Sequence, residues 1–135
     1  MIRAFFEAIR APIARYIAEL GEAGAAFRIA GAWSVRLRPH GFHANHVHPR
    51  GWISSAFYVA LPAAVADDAS RAGWLKFGEP GPPTRPALGP EHFVKPEPGL
   101  LALFPSSLWH GTVPFGGDEP RLSIAFDVVR GDERP

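Results

Sequence analysis

Apolar residues at the start of the chain recur at spacings of three and four: Ile2, Phe5, Phe6, Ile9, Ile13, Tyr16, Ile17 and Leu20 form one stripe. That period predicts an amphipathic helix over residues 2–20, packed as a brace against a sheet, with docking of a partner or a second copy as its alternative use. Pro12 falls inside the pattern, so the segment is either a kinked helix or two short ones, ended by Gly21 and Gly24. From residue 26 the period changes to two. Residues 27–30 form a short strand candidate. Residues 33–38 alternate, with Trp33, Val35 and Leu37 on one face and Ser34, Arg36 and Arg38 on the other. Residues 42–48 read as an extended segment between turns at 39–41 and 49–51, and residues 52–61 are aromatic and β-branched enough to be the strongest strand signal. Further strands are predicted over 73–77, 92–95, 100–104 and 108–113, the third buried on both faces. The last, residues 121–128, sets Leu122, Ile124, Phe126 and Val128 against Arg121, Ser123, Ala125 and Asp127. Between them lie an Ala/Asp-rich stretch (62–71), read as a loop or short helical turn, and a proline-rich loop (78–90). The charged tail from Gly131 is expected to fray.

About eight short strands after one helix predict a mainly β chain: an antiparallel jelly roll, the cupin-like double-stranded β-helix, with an N-terminal amphipathic helix. A length of 135 residues fits one domain, with a helical brace over 1–24 and the β core over 26–130. Fifteen prolines and fourteen glycines agree with a turn-rich fold. The net charge of +1, with no basic stripe, gives no reason to expect nucleic acid as a partner. No segment is apolar for long enough to span a bilayer, and Glu7, Arg10 and Arg15 break the N-terminal apolar run, so no membrane partner and a cytoplasmic location are expected. The absence of cysteine leaves His, Asp and Glu as the only strong metal donors.

That last point gives weight to the stretch Gly41-Phe42-His43-Ala44-Asn45-His46-Val47-His48-Pro49, which carries three of the six histidines. In an extended chain, side chains two apart share a face, so His46 and His48 project together and His43 faces away. Neutral imidazoles suit iron, zinc, copper and nickel alike. A chance cluster on a polar loop is the competing reading, and the downstream residues decide between the two. His110 follows a turn on a late strand. Arg121 and Ser123 share the small-residue face of the last strand, where a buried guanidinium needs an anion. A bidentate carboxylate is the natural partner, either that of a ligand or, as the structural alternative, Asp127.

The run WSVRLRPHGFHANHVHPRGWISSAFYVALP, with GWLKFGEP, PGLLALFPSSLWHGTVPF and RLSIAFDVV after it, resembles the 2-oxoglutarate/Fe(II)-dependent oxygenases. It is similar in particular to a bacterial subfamily with an HxH…FPS…H…RxS pattern. The resemblance spans nearly everything from Trp33 to Val129. It implies that His46 and His110 are the two histidine ligands of Fe(II), and that Arg121 grips the remote carboxylate of 2-oxoglutarate with help from Ser123. It also implies the double-stranded β-helix, and an activity that hydroxylates a small-molecule or peptide substrate with O2 while 2-oxoglutarate becomes succinate and CO2. The chain departs from the usual two-histidine, one-carboxylate triad at one position, His48, which stands where the carboxylate belongs. A third histidine there is expected to bind the metal and to leave it more positively charged. The same departure keeps two other readings open: a three-histidine cupin dioxygenase that uses no 2-oxoglutarate, and a non-catalytic metal- or partner-binding module. Arg36, Arg38, Asn45, Trp52 and Tyr58 are the candidates for lining the pocket, against surface, turn or core roles for each. A homodimer built on the N-terminal helix is a further expectation.

Overall fold

The computed structural model describes residues 1–131. The charged tail beyond Gly131 lies outside them. Among the described residues one helix, α1 (Ile2–Glu19), precedes seven strands: β1 (Phe27–Leu37), β2 (Ile53–Ala60), β3 (Leu75–Phe77), β4 (His92–Val94), β5 (Leu101–Pro105), β6 (His110–Thr112) and β7 (Arg121–Arg130). A 3-10 turn, Ala63–Ala66, falls in the Ala/Asp-rich stretch.

Pro12 does not divide the helix, which runs unbroken through it. Its missing N–H costs one rung, and burial of Ile9, Ile13 and Ile17 at spacings of four offsets that loss. The helix ends where the glycines predict. Gly21 adopts φ 86°, its N–H bonds the Ala18 carbonyl, and the Glu22 N–H bonds the Ile17 carbonyl, which is the Schellman closure.

All strand pairs are antiparallel and fall into two sheets, a four-stranded one in the order β1-β7-β2-β5 and a three-stranded one in the order β4-β3-β6. The helix lies on the outer face of the larger sheet, its three isoleucines packed with Ile53, Phe126 and Val128. Phe5 extends this layer through edge contacts with Phe57 and Phe126, at ring-centroid distances of 5.3 and 6.2 Å. On the inner face, Phe104 of β5 meets Leu75 and Phe77 of β3 and joins the two sheets. The fold is mainly β, of jelly-roll type with one N-terminal helix, as the strand pattern predicts. Shortening Ile13, which is fully buried, to Val is expected to cost about 0.5–1.5 kcal/mol, read as a lower urea midpoint at unchanged slope.

Two expectations change. The segments 27–30 and 33–38 are one strand, because the irregularity between Ile29 and Gly31 opposite β7 is a bulge rather than a break. Residues 42–48 are not a strand: only His46 pairs, in an isolated bridge with His110. Pro49 and the turn at residues 49–50 stop a ladder from growing there.

Candidate active site

Strand β7 is buried from both sides. Phe126 and Val128 face the helix, so alternation sends Arg121, Ser123, Ala125 and Asp127 into the space between the sheets. There they line a cavity of about 80 Å³ with His46, His48, His110, Thr112 and Tyr58. Trp33 and Val35 of β1 form its outer wall.

The three imidazoles converge. Their nearest ring nitrogens lie within 4.8 Å of one another, and the Nε2 atoms of His46 and His48 are 3.1 Å apart. Each ring turns its other nitrogen to an acceptor. His46 Nδ1 donates to the Ala44 carbonyl at 2.7 Å, His110 Nδ1 to the Leu108 carbonyl at 2.9 Å, and His48 Nδ1 to Asp127 Oδ2 at 2.9 Å. In the neutral rings these bonds fix the tautomer and leave every Nε2 a bare lone pair. Two lone pairs 3.1 Å apart repel unless a cation lies between them. Burial, helped by the neighbouring His46 and His48, pushes the pKa of His110 down to about 4, so its ring is neutral and free to bind a metal near pH 7. The group therefore fits a metal ion held by nitrogen, and Fe(II) is among those it suits.

The local backbone explains how a segment without a ladder holds its aim. His46 and His110 exchange reciprocal N–H···O bonds of 2.9 and 3.1 Å, and the His48 N–H bonds the Ser106 carbonyl at 2.8 Å. Gly111 lets the segment approach β6, since a Cβ there would collide with the Asn45 Oδ1 atom.

Arg121 enters the same cavity from the start of β7 and is 4% exposed. Its Nη1 donates to the Gly73 carbonyl (2.9 Å) and Nη2 to Thr112 Oγ1 (3.2 Å), while the ring of Tyr58 lies 5.6 Å from the guanidinium carbon. Nε has no partner, and no carboxylate of the described residues forms an ion pair with it. Burial accordingly lowers its pKa and, for the same reason, raises that of Tyr58, whose buried hydroxyl also lacks a partner. A buried cation beside an unsatisfied phenol is suited to receive an anion.

Of the residues singled out in the sequence, the structure brings together His46, His48, His110, Arg121, Ser123 and Tyr58. Four others do not line the cavity. Arg36, on the far face of β1, and Arg38, just past its end, are exposed, because the period of two gives the inner face to Trp33 and Val35. Trp52 precedes β2 and packs on the helix side, under the Arg130 guanidinium at 4.1 Å. Asn45 is wedged behind the histidine segment against Gly111. Asp127 backs His48 rather than pairing with Arg121. His43 does line the cavity, and burial and Arg121 hold its pKa below the usual histidine value. An extended segment would have turned it away; the irregular backbone does not. Thr112 carried no sequence signal. A larger groove of about 580 Å³ runs along β5 and β4, and neither the three converging histidines nor Arg121 lines it.

Three converging imidazole nitrogens that suit a metal ion thus share a cavity, between the sheets of a jelly roll, with a buried guanidinium that has no carboxylate partner among the described residues. Residues 31–127 match the family described as "Putative 2OG-Fe(II) oxygenase", and the chain belongs to it. No curated protein sequence matches the chain. Among solved structures it is similar to an oxidoreductase of the 2OG-Fe(II) oxygenase family from Burkholderia pseudomallei, with 16% identity, a TM-score of 0.68, and coverage of 96% of this chain and 58% of that one. A prolyl-4-hydroxylase from Pseudomonas putida aligns with 23% identity and a TM-score of 0.54, over 73% of this chain and 51% of its own length. HygX from Streptomyces hygroscopicus with iron bound aligns with 14% identity and a TM-score of 0.53, over 93% of this chain and 69% of that one. These likenesses are of fold, and the chain spans little more than half the length of the first two. Among the described residues no helix is long and apolar enough to cross a membrane.

Proposed function

We propose that this protein is an Fe(II)- and 2-oxoglutarate-dependent dioxygenase that hydroxylates a small-molecule or peptide substrate in the cytoplasm. One observation carries the reading: a buried guanidinium without a carboxylate partner shares a cavity with three Nε2 lone pairs. His46, His48 and His110 hold the iron through those nitrogens, with rings already oriented by their Nδ1 bonds. Arg121 binds the far carboxylate of 2-oxoglutarate, Ser123 borders it, and the free Tyr58 hydroxyl is a further donor to it. Iron, when bound with 2-oxoglutarate and O2, supplies the oxidative decarboxylation to succinate and CO2 that drives hydroxylation of a C–H bond. The apolar wall of Phe104, Leu75 and Val35 excludes water from the reacting groups. Anaerobic titration of the Fe(II)-loaded protein with 2-oxoglutarate is expected to give a metal-to-ligand charge-transfer band, and exposure to O2 to give succinate. Loaded protein with neither band nor succinate would defeat the reading.

The substitution of His48 for a carboxylate supports a second reading, a three-histidine dioxygenase that needs no oxoacid. It leaves Arg121 without a role. Substrate turnover in the absence of 2-oxoglutarate would favour it.

A further inference from the structure

His48 removes a negative charge from the place where the usual triad has one, yet a carboxylate stands directly behind it. Asp127 Oδ2 accepts from His48 Nδ1 at 2.9 Å, with only about a fifth of either side chain exposed (21% and 22%). The carboxylate is itself fixed. Its Oδ1 accepts from Ser54 Oγ at 3.2 Å, and Ser54 Oγ is 2.8 Å from Ser106 Oγ, both serines being buried. Ser106 is held in turn by backbone bonds to Trp52 and His48, and a Cβ at Gly51 would overlap its side chain. The side-chain bonds run from Ser106 through Ser54 to Asp127 and on to His48, and none of them reaches Arg121.

We propose that Asp127 is a positioning residue for the metal. Through the Nδ1–H of His48 it supplies, from outside the ligand set, the negative charge that a carboxylate ligand would have supplied within it. This role depends on His46, His48 and His110 being the ligands, as proposed above. Three neutral imidazoles bring no charge to a divalent ion, whereas a hydrogen-bonded carboxylate makes its imidazole a stronger donor and fixes the ring's angle. Partial burial limits screening of that charge by solvent and salt. Ser54 and Ser106 keep the carboxylate plane aligned, so the pair behaves as one anionic donor, His48–Asp127. This explains why a histidine is tolerated at the carboxylate position of this chain.

The experiment compares wild type, Asp127→Asn, Asp127→Glu and Ser54→Ala, with anaerobic Fe(II) titrations and the visible spectrum of the Co(II)-loaded proteins. Asparagine retains an acceptor for His48 and removes the charge. Its metal Kd is expected to rise about 10–100-fold, with a shifted Co(II) ligand-field band. Glutamate should recover part of both, and Ser54→Ala should give a smaller change in the same direction. The Tm of the metal-free proteins serves as the control for folding. Asp127→Asn with wild-type Kd and spectrum would overturn the proposal. So would complete loss of metal in Asp127→Asn combined with wild-type affinity in His48→Gln, because Asp127 would then be a direct ligand. A wild-type protein that binds neither Fe(II) nor Co(II) would instead remove the ligand assignment on which the proposal rests.

Discussion

His46→Ala is expected to weaken Fe(II) binding by more than about 100-fold, beyond the 10–100-fold typical for residues that only support a ligand. The ring contributes one of three converging nitrogens, and nothing among its neighbours replaces it: His43 lines the cavity but is outside the group whose ring nitrogens converge. The same substitution should leave the metal-free fold intact or slightly more stable. It removes one of two lone pairs held 3.1 Å apart, and His46 is only partly buried. Thermal unfolding with and without metal separates the two effects. At a metal concentration of 100 Kd the wild-type protein should gain about 2.7 kcal/mol, and the variant should gain almost nothing. Equal metal-induced stabilisation in both proteins would mean that the three imidazoles are not the site.

The second large effect is at Arg121. Replacement by Met keeps much of the side chain's length and removes its charge. Loss of the buried partner of a carboxylate costs about 2–5 kcal/mol, which is roughly a 30- to 4,000-fold rise in the Kd for 2-oxoglutarate. Affinity for Fe(II) should change little, since Arg121 is not among the converging donors. Stability should run the other way from binding. A buried guanidinium with no counter-ion is costly, and an apolar residue of similar volume is often neutral or stabilising there. The two bonds it gives up, to Gly73 and Thr112, temper that gain. Isothermal titration with 2-oxoglutarate, beside the Tm of the metal-free protein, tests both halves. Normal binding together with a large fall in Tm would make Arg121 a purely structural residue.

Much of this arrangement is legible in the sequence because β7 obeys a strict period of two. Once Phe126 and Val128 are assigned to the core, Arg121, Ser123 and Asp127 must face the other way. The helix is equally plain, since three isoleucines at spacings of four leave it no other face to bury. What the period does not reach is the histidine segment. Its geometry comes from a few bonds to distant residues (His110, Ser106 and Thr112), and no local pattern encodes these. For that reason His43 lines the cavity, against the direction that an extended phase gives it. Extended phase nevertheless brought His46 and His48 together correctly, because the two are held by adjacent bonds to β6 and to the turn that precedes it. Arg36 and Arg38 show the opposite case. The alternation of β1 is plain in the sequence, but sequence alone does not say which face of an outer strand looks inward.

The central place of β7 also sets a timetable. It is hydrogen-bonded to β1 on one side and β2 on the other, so its amides exchange with solvent only when the whole sheet opens. The histidine segment is tied by one bridge and two further bonds, and its amides should exchange far sooner. Hydrogen exchange should therefore divide the site into a slow half, with Arg121, Ser123 and Asp127, and a fast half, with His46 and His48. On the proposed assignment, the cavity around Arg121 would persist for as long as the fold does, whereas local opening of one short loop would release two of the three metal ligands without unfolding the sheet that carries the rest.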